Sequence, residues 1–407
     1  MTLFNLNKEE ILAPQDWGFP VPIAYGPGRF SEIGNYCSEN EITNPLIVTD
    51  SGSVDLPFID NLVEILKKSK INSGIYSKIS PNPRDDEIAS GKKLFNDNNH
   101  DAIIAIGGGS AMDGGKSICL TANNEIELFD FEWEKTPQVI GPDNKFPKLI
   151  TIPTTAGTGA ETESTAMVTD TKQGIKLCIM HPELKPSLAL LDPELTLGLP
   201  SNLTAWTGAD AMIHSIEGYC VPGFHPLCDG AALESLNLIS KSLITAVEEP
   251  NNLEARGAML VASCLGGVSF IKGLGLVHAI AHMVGAEFNT HHGLTNAIIL
   301  PAVLRYNLPD MEEKVMRMAQ AMQYKDHTAN HFIESMEKIL DRIKIPKGLN
   351  EIGVPEDCIE RISEKSMIDT AFGTNPRSAT LDVAERGLVP KACLLYTSPS
   401  PRDGWKS

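Results

Sequence analysis

The segment that most constrains the fold is residues 102–110, where a short apolar run leads directly into glycines. Residues 102–106 read Ala-Ile-Ile-Ala-Ile, a continuous apolar run that is typical of a strand buried on both faces of a parallel sheet. Gly107, Gly108 and Gly109 follow, and Ser110 opens a stretch that reads as the start of a helix. A strand, a glycine turn and a helix N-terminus together can hold a phosphate, because free N–H groups face the anion.

The glycine turn differs by one residue from each of two well-known phosphate-binding motifs. The dinucleotide motif GxGxxG would need a glycine at 112, where Met112 stands. A Walker A loop ending in Gly115-Lys116-Ser117 would need a glycine at 110, where Ser110 stands. Because tight turns also use glycine for steric reasons, the turn alone leaves a purely structural role open.

A second loop of the same kind follows another apolar strand. Residues 152–159 read Ile-Pro-Thr-Thr-Ala-Gly-Thr-Gly and offer the hydroxyls of Thr154, Thr155 and Thr158 together with two flexible glycines. Such a loop could bind a ribose, a diphosphate or the amide of a nicotinamide, and the alternative is an ordinary Ser/Thr-rich turn. Two loops of this type in one α/β region favour a dinucleotide site.

Asp50 ends a third apolar run, residues 46–50. A carboxylate at the carboxyl end of such a strand is where a ribose 2′-hydroxyl would be recognised, and it would repel a 2′-phosphate. This position favours NAD over NADP, although Asp50 taken singly also fits an ordinary turn.

The second half of the chain carries a set of metal-binding residue types. Asp210 and His214 are four residues apart, so on a helix they share one face and could hold one ion together. Four of the ten histidines fall within residues 278–292. His278 could complete the set from a second helix, and His292 from the turn or helix start that follows. Any one histidine could be a hydrogen-bonded core or capping residue, but three imidazoles and one carboxylate at these spacings favour a divalent ion such as Fe or Zn.

Composition, net charge and cysteine spacing exclude several classes of protein function for this chain. Hydrophobic residues make up 42% of the 407 residues and charged residues 21%, as in a soluble globular protein large enough for two domains. A net charge of −18 argues against nucleic acid or an anionic membrane as a partner. The start of the chain lacks a signal-peptide pattern, and no uninterrupted apolar run is long enough to span a membrane. The eight cysteines show no CxxC spacing and are typical of reduced thiols, so we expect a cytoplasmic protein.

The pattern of predicted secondary structure changes near residue 195. Residues 1–195 alternate short apolar strands with helical stretches and predict an NAD-binding α/β domain, Rossmann-like, with a parallel sheet. Residues 196–392 are dominated by long helical patterns and predict an all-α, metal-binding domain. The active site is expected in the cleft between the two. Residues 393–407 resemble translated adapter sequence and predict a non-native tail, which would cut short the last helix.

The combination of motifs, in this order, resembles the iron-containing (group III) alcohol dehydrogenase family from about Pro20 to Arg377. The motifs that carry the resemblance are the Gly-Gly-Gly-Ser segment 107–110 with Asp113 and Lys116, the segment 153–158, Leu191-Asp192-Pro193, the two metal segments, and Thr374-Asn375-Pro376-Arg377. The resemblance implies a metal ion, Fe(II) by family and Zn(II) equally by ligand type, on Asp210, His214, His278 and His292. It also implies that NAD, in preference to NADP, is bound by Asp50, Asn82, Gly107, Gly108, Gly109, Ser110, Asp113, Thr154, Thr155, Thr158 and Lys176.

The resemblance assigns roles to two further histidines. His282 matches the family position next to substrate and nicotinamide, to which proton release is often assigned. His291 stands beside His292 and competes with it as the metal ligand. The family pattern places the ligand directly before a glycine, here Gly293, so His292 is the predicted ligand.

The resemblance thus implies a metal-dependent alcohol dehydrogenase that moves a hydride between a small primary alcohol, or its aldehyde, and NAD. The metal would act as a Lewis acid toward the alcohol oxygen, and the hydride chemistry would belong to the cofactor. A homodimer would be usual for the family. The alternatives are a relative with the same fold, such as a glycerol dehydrogenase or a dehydroquinate-synthase-like lyase, and a metal-dependent hydrolase or NTPase that uses the glycine turn for substrate phosphate.

Overall fold

A computed structural model describes residues 15–17, 21–136, 140 and 145–393. The first fourteen residues, on which the absence of a signal peptide rests, lie outside the described part. So do residues 394–407, which make up all but one residue of the predicted non-native tail.

Among the described residues, nine strands lie in the first half of the chain. In chain order they are β1 (Gln15–Trp17), β2 (Ile23–Tyr25), β3 (Pro45–Asp50), β4 (Gly74–Ile79), β5 (Ala102–Gly107), β6 (Lys148–Pro153), β7 (Thr165–Asp170), β8 (Ile175–Met180) and β9 (Leu188–Leu191). Seven of them form one sheet in the order β1-β2-β9-β6-β5-β3-β4. From β2 to β4 all neighbours are parallel, which confirms the predicted parallel sheet.

Two pairings depart from the all-parallel pattern. β1 pairs antiparallel with β2 at one edge of the sheet, and β7 pairs antiparallel with β8 in a separate two-stranded hairpin. Antiparallel strands need only a short connection, and residues 171–174 supply it. The alternation of apolar runs did not distinguish this hairpin from the parallel strands around it.

Helices cover both faces of the sheet. They are α1 (Ile33–Glu39), α2 (Pro57–Lys68), α3 (Asp85–Asp97) and α4 (Gly109–Thr121). In α2, a proline starts the helix, Lys67 and Lys68 lie in its last turn, and Ile59, Leu62 and Leu66 are buried along one stripe. The central strand β5 is buried over its whole length, as a parallel strand between two helical layers must be.

The second half of the described chain is helical. Its α-helices are α5 (Ser201–Cys220), α6 (Pro226–Glu248), α7 (Leu253–Ser269), α8 (Leu276–Phe288), α9 (His292–Asn307), α10 (Glu312–Ala321), α11 (Ala329–Arg342), α12 (Ile359–Ser366), α13 (Thr370–Gly373), α14 (Leu381–Val383) and α15 (Val389–Cys393). Sixteen of the twenty residues of α5 are buried. A helix that is buried on nearly all sides belongs at the centre of a bundle, and α5 packs there against α6, α7 and α9.

One segment in the described residues, Leu253–Lys272, is long and apolar enough to cross a membrane by length and composition, but 72% of its most apolar window is buried inside the protein. It contains α7, which packs against α5 and α6 and so has the surroundings of a core helix. All eight cysteines are free thiols, and seven of them are buried.

Candidate active site

Helix α5 places Asp210 and His214 side by side. The two residues lie one turn apart on the same face, and they are 1% and 4% exposed. Helix α9 approaches this face closely, because a Cβ atom on Gly293 would clash with the main-chain oxygen of Trp206. A glycine at this position therefore allows His292, the first residue of α9, to reach Asp210.

The four predicted metal ligands converge on one point. Asp210, His214, His278 and His292, here called the metal quartet, each offer one ligand atom, and these atoms all lie within 4.8 Å of one another. Asp210 Oδ1 is 4.0 Å from His214 Nε2, 3.7 Å from His278 Nε2 and 3.8 Å from His292 Nε2. Two ligand atoms on one tetrahedral ion are about 3.4 Å apart, so these three distances from Asp210 are a few tenths of an ångström longer than in a closed site.

Hydrogen bonds on the outer ring nitrogens aim two of the imidazoles inward. His214 Nδ1 lies 3.2 Å from the Gly157 main-chain oxygen, and His278 Nδ1 lies 2.7 Å from Glu217 Oε2. Because a carbonyl and a carboxylate can only accept, each Nδ1 carries the proton. Each Nε2 therefore presents a lone pair to the centre of the quartet, which is the tautomer that a metal ligand requires.

Burial favours the neutral form of two of the imidazoles, those of His214 and His292. It lowers the pKa of His214 to about 4, against the opposing effect of Asp210. It also lowers the pKa of His292 well below its usual value, and nearby Lys176 acts in the same direction. Neutral imidazole is the ligating form, so the quartet is ready to bind a cation at neutral pH.

Asn296 shows independently that the lone pairs converge. It lies one turn after His292, and its Nδ2 is 2.7 Å from Asp210 Oδ1, 3.0 Å from His278 Nε2 and 3.1 Å from His292 Nε2. Three ligand atoms thus point at one donor. Asn296 Oδ1 is buried and has no hydrogen-bond partner, as expected for a side chain beside a cation site. These residues fit a divalent metal ion.

His282 lies beside the quartet with a carboxylate behind it. Its ring stacks on His292 with the ring centroids 5.4 Å apart, and its Nδ1 donates to Asp369 Oδ2 over 2.8 Å. Burial lowers the pKa of His282, and Asp369 opposes that shift. The Nε2 atom is then the free acceptor, so His282 can accept or return a proton next to the metal quartet.

The two glycine- and threonine-containing loops, residues 107–110 and 154–159, are here called the nucleotide loops. They touch each other at the carboxyl edge of the sheet. A Cβ atom on Gly109 would lie 2.5 Å from Thr158 Cγ2, and one on Gly108 would lie 3.6 Å from Thr155 Cγ2. Thr154 N donates to the Gly107 oxygen over 2.9 Å. Ser110 lies in the first turn of α4, where free N–H groups favour an anion.

Asp50 lies at the same edge, at the end of β3. Its carboxylate accepts hydrogen bonds from Gly52 N at 3.0 Å and Ser53 Oγ at 2.8 Å, so it organises the turn that follows the strand. A Cβ atom on Gly107 would lie 2.9 Å from Asp50 Oδ2. Asp50 therefore has the ordinary role of a turn residue, and its carboxylate also lies next to the glycine turn.

Lys176 and Asn82 contact each other and the end of α8, the helix that carries His278 and His282. Lys176 Nζ is 3.4 Å from Asn82 Oδ1, and Asn82 Nδ2 donates to Asn289 Oδ1 at the end of α8 over 2.9 Å. Burial lowers the pKa of Lys176, while Asp113, Asp210 and Asp369 oppose the shift. Burial also raises the pKa of Asp113 to about 6. The contacts of these and the other predicted cofactor residues with a cofactor stay a prediction.

Comparison with known proteins matches both halves of the chain to one family. Residues 20–193 match the family model described as iron-containing alcohol dehydrogenase, and residues 204–386 match the C-terminal part of the same family. The chain belongs to the iron-containing alcohol dehydrogenase family. The resemblance seen in the sequence motifs is therefore confirmed.

Individual relatives cover nearly the whole chain. An NAD-dependent methanol dehydrogenase from Bacillus methanolicus is 32% identical over 374 residues, which is 90% of this chain and 97% of that protein. The crystal structure of a 1,3-propanediol oxidoreductase superposes with a TM-score of 0.86 at 31% identity, covering 94% of this chain and 99% of the other. A sulfoacetaldehyde reductase from Bifidobacterium kashiwanohense, solved in complex with NAD+, gives a TM-score of 0.81 at 28% identity, covering 93% and 98%.

Within this family fold, His291 is separate from the metal quartet. It caps the N-terminus of α9, where its Nδ1 accepts from Leu294 N at 3.4 Å, and its ring packs on Trp206 with centroids 5.0 Å apart. The choice of His292 over His291 therefore agrees with the geometry.

Three polar residues of the site were not predicted from the sequence, namely Glu217, Asn296 and Asp369, and Asn375 was noted only as part of the family motif 374–377. Glu217 had a detectable signal, because Asp210, His214 and Glu217 follow the i, i+4, i+7 spacing of one helical stripe. Asn296 is likewise four residues after His292. Asp369 and Asn375 meet the site across long separations, 87 residues from His282 and 99 residues from Leu276, and no local spacing indicates such contacts.

Proposed function

We propose that this protein is a metal- and NAD-dependent dehydrogenase that transfers a hydride between a small primary alcohol, or its aldehyde, and NAD. The observation that carries the proposal is the metal quartet lying next to His282 and Lys176, with the nucleotide loops joined to it. Fe(II) is the ion proposed, in line with the family, although imidazole and carboxylate ligands also suit Zn(II). When bound, the ion supplies Lewis acidity and NAD supplies the hydride acceptor.

The residues of the quartet would hold the ion in a preformed geometry. Asp210 supplies the negative charge, and the three imidazoles supply neutral nitrogen ligands. The Gly157 oxygen and the Glu217 carboxylate fix the ring orientations of His214 and His278. Positions fixed before binding cost little reorganisation when charge develops on the substrate oxygen.

His282 is the residue proposed to move the alcohol proton. Its Nδ1–H is held by Asp369, so only Nε2 can accept a proton from the substrate side. Its ring stacks on His292, and its side chain is 5% exposed. A neutral imidazole in this position accepts a proton during alcohol oxidation and returns it during aldehyde reduction.

The cofactor is proposed to lie across the nucleotide loops. The N-terminus of α4 would face the diphosphate, and the threonine hydroxyls would bind the ribose or the nicotinamide amide. Asp50 at the end of β3 supports NAD rather than NADP. Relatives that use NAD, and one solved with NAD+, support the same assignment.

A small substrate is supported by the surroundings of the quartet. The ring of Phe270 packs on His214 with centroids 4.7 Å apart, which leaves an apolar wall beside the proposed metal ion. The substrates named for the relatives, methanol, 1,3-propanediol and sulfoacetaldehyde, are all short. A homodimer, no nucleic-acid or membrane partner, a cytoplasmic location and a domain boundary near residue 195 remain predictions from the sequence.

Transfer of deuterium from substrate to cofactor tests the proposal. The metal-loaded protein is given a primary alcohol that carries deuterium at the carbinol carbon, and the NADH formed is analysed by mass spectrometry and NMR. We expect one deuterium at C4 of the nicotinamide and a slower reaction than with the unlabelled alcohol. Turnover of substrate with no net NADH would instead indicate a lyase-type reaction.

A further inference from the structure

Glu217 is a buried carboxylate whose contacts go beyond those of an ordinary core residue. It lies on the same stripe of α5 as Asp210 and His214, and it is 4% exposed. Unlike those two residues it is not a member of the metal quartet. Its side chain points instead at the beginning of α8, the helix that carries His278 and His282.

The carboxylate closes the N-terminus of α8. Glu217 Oε1 accepts from Val277 N at 2.8 Å, and Oε2 accepts from Gly275 N at 3.1 Å and from His278 N at 3.4 Å. The remaining amide, Leu276 N, donates to Asn375 Oδ1 over 3.2 Å. A helix N-terminus carries free N–H groups and partial positive charge, so a carboxylate there is stabilising.

The same carboxylate holds the ring of His278. Its Oε2 accepts from His278 Nδ1 at 2.7 Å, the shortest of its contacts. Gly275 makes this approach possible, because a Cβ atom at that position would lie 2.7 Å from Glu217 Oε1. One side chain thus fixes both the backbone of the first turn of α8 and the ring orientation of its first histidine.

We propose that Glu217 is a positioning residue for the metal ion, acting through His278. Its carboxylate keeps the proton on Nδ1, aims Nε2 at the centre of the quartet, and increases the electron density that His278 offers to a cation. A carboxylate behind a ligating imidazole typically contributes roughly 10- to 100-fold in metal affinity. This inference rests on the proposed function, because it requires that the quartet binds a metal ion.

The first test is Glu217→Gln, with Co(II) as the probe. The amide keeps the shape of the side chain but replaces one acceptor oxygen by an NH2 donor, which would face N–H groups already pointing at it. We expect the dissociation constant for Co(II), measured by competition with a chromogenic chelator, to rise roughly 10- to 100-fold. The visible absorption spectrum of the bound Co(II) should also change, since it reports ligand geometry.

Asp192→Asn is the matched control. Asp192 is also a buried carboxylate, 1% exposed, and it accepts from two backbone amides, Phe30 N at 2.9 Å and Glu194 N at 3.0 Å. It makes no contact with the quartet among the contacts of the described residues. Asp192→Asn should lower the melting temperature and leave the Co(II) affinity and spectrum unchanged.

The outcomes separate this inference from the proposed function. If the wild-type protein binds no divalent metal, the proposed function itself fails. If wild type binds Co(II), and Glu217→Gln binds it with the same affinity and spectrum while melting earlier, Glu217 is only a helix cap and the inference is overturned. Glu217→Asp, which keeps the charge on a shorter side chain, should recover part of the lost affinity.

A measurement on the wild-type protein decides the matter if neither variant folds. With 15N-labelled histidine and bound Zn(II), a slowly exchanging proton on Nδ1 of His278 would support the inference. A metal-loaded protein whose His278 carries no proton on Nδ1 would overturn it.

Discussion

In the metal quartet every ligand atom is supplied by a side chain on a helix, whereas the nucleotide loops depend on backbone groups and on the absence of side chains. Asp210, His214 and His278 are fixed by residue spacing and by partners such as Glu217. Gly107 and Gly109 matter because a Cβ atom on Gly107 would collide with Ala111 and Asp50, and one on Gly109 would collide with Thr158. The quartet therefore depends on the ligand atoms that its side chains supply, and the loops depend on the space that their glycines leave open.

The two regions meet at Gly157. Its main-chain oxygen accepts the hydrogen bond from His214 Nδ1, although the residue belongs to a nucleotide loop. The loop lies directly on the helices: a Cβ atom on Gly157 would be 2.6 Å from the Thr207 oxygen, and one on Gly159 would be 2.5 Å from Gly267 Cα. A displacement of the loop at this junction is therefore expected to affect the position of His214, and a displacement of α5 is expected to affect the loop.

The largest expected effect separates a metal ligand from a proton carrier within the helical region. His278→Ala should lose the bound metal and all activity, because a quartet with one imidazole missing no longer closes around the ion. His282→Ala should keep its metal and lower kcat by about 10²- to 10⁴-fold. Metal analysis of both purified variants, together with turnover rates, checks the division. Equal loss of metal in both would contradict it.

The next effect is expected at the junction. In Gly157→Ala the added methyl group collides with backbone of α5, which should displace the loop at a cost of about 1 to 3 kcal/mol. Affinity for NAD and for metal should both fall, as measured by fluorescence titration and chelator competition. Gly230→Ala is the control, because Gly230 has open space around it and alanine suits a helix. A fall in NAD affinity alone would show that the two regions are independent.

A smaller effect is expected for cofactor choice, which concerns only the nucleotide region. Asp50→Ser removes the carboxylate that would repel a 2′-phosphate, so the preference for NAD over NADP in kcat/KM should shrink by roughly tenfold, or about 1.4 kcal/mol. Metal content should stay unchanged. Asp60→Ser, at an exposed position on α2, controls for the loss of one negative charge. An unchanged cofactor ratio would mean that Asp50 serves only its turn.

The last expected effect, which leaves metal binding unchanged, is a pH dependence of stability in the sheet region. Burial raises the pKa of Glu161 to about 7, with nearby Lys116 opposing the shift. A carboxyl group with a folded pKa above its unfolded value binds its proton more tightly when folded. Its contribution to stability is therefore greatest below about pH 4.5 and is lost as the pH rises toward about 7.

Glu161→Gln removes this ionisation. At about pH 8.5 the variant should melt at a higher temperature than wild type, and its free energy of unfolding should be larger by on the order of 1 to 3 kcal/mol. Both differences should shrink at about pH 5.5. Metal affinity should be unaffected at either pH. A gain in stability that is equal at both pH values would assign the effect to packing instead of charge.

The comparison also explains which features were predictable from the sequence. The metal quartet was predictable because helical spacing places Asp210 beside His214, and because the family pattern puts His292 before Gly293. The parallel sheet was predictable from its apolar runs. The β7–β8 hairpin was not, since an antiparallel strand and a parallel strand carry similar short apolar runs.

The carboxylates behind the histidines were the main omission. Glu217 could have been found by extending the α5 stripe one more turn. Asp369 could not, because its contact with His282 depends on how a segment 87 residues away folds back onto α8. Contacts of this kind are set by tertiary packing, which local periodicity does not encode.

The most direct test of the account is NADH formation by anaerobically purified protein with a short panel of primary alcohols, before and after chelation and after return of Fe(II) or Zn(II). We expect NADH formation to stop when the metal is removed and to resume when one of the two ions is added back. NADH formation that survives complete removal of the metal would contradict it. So would the absence of NADH with every alcohol although metal and NAD both bind.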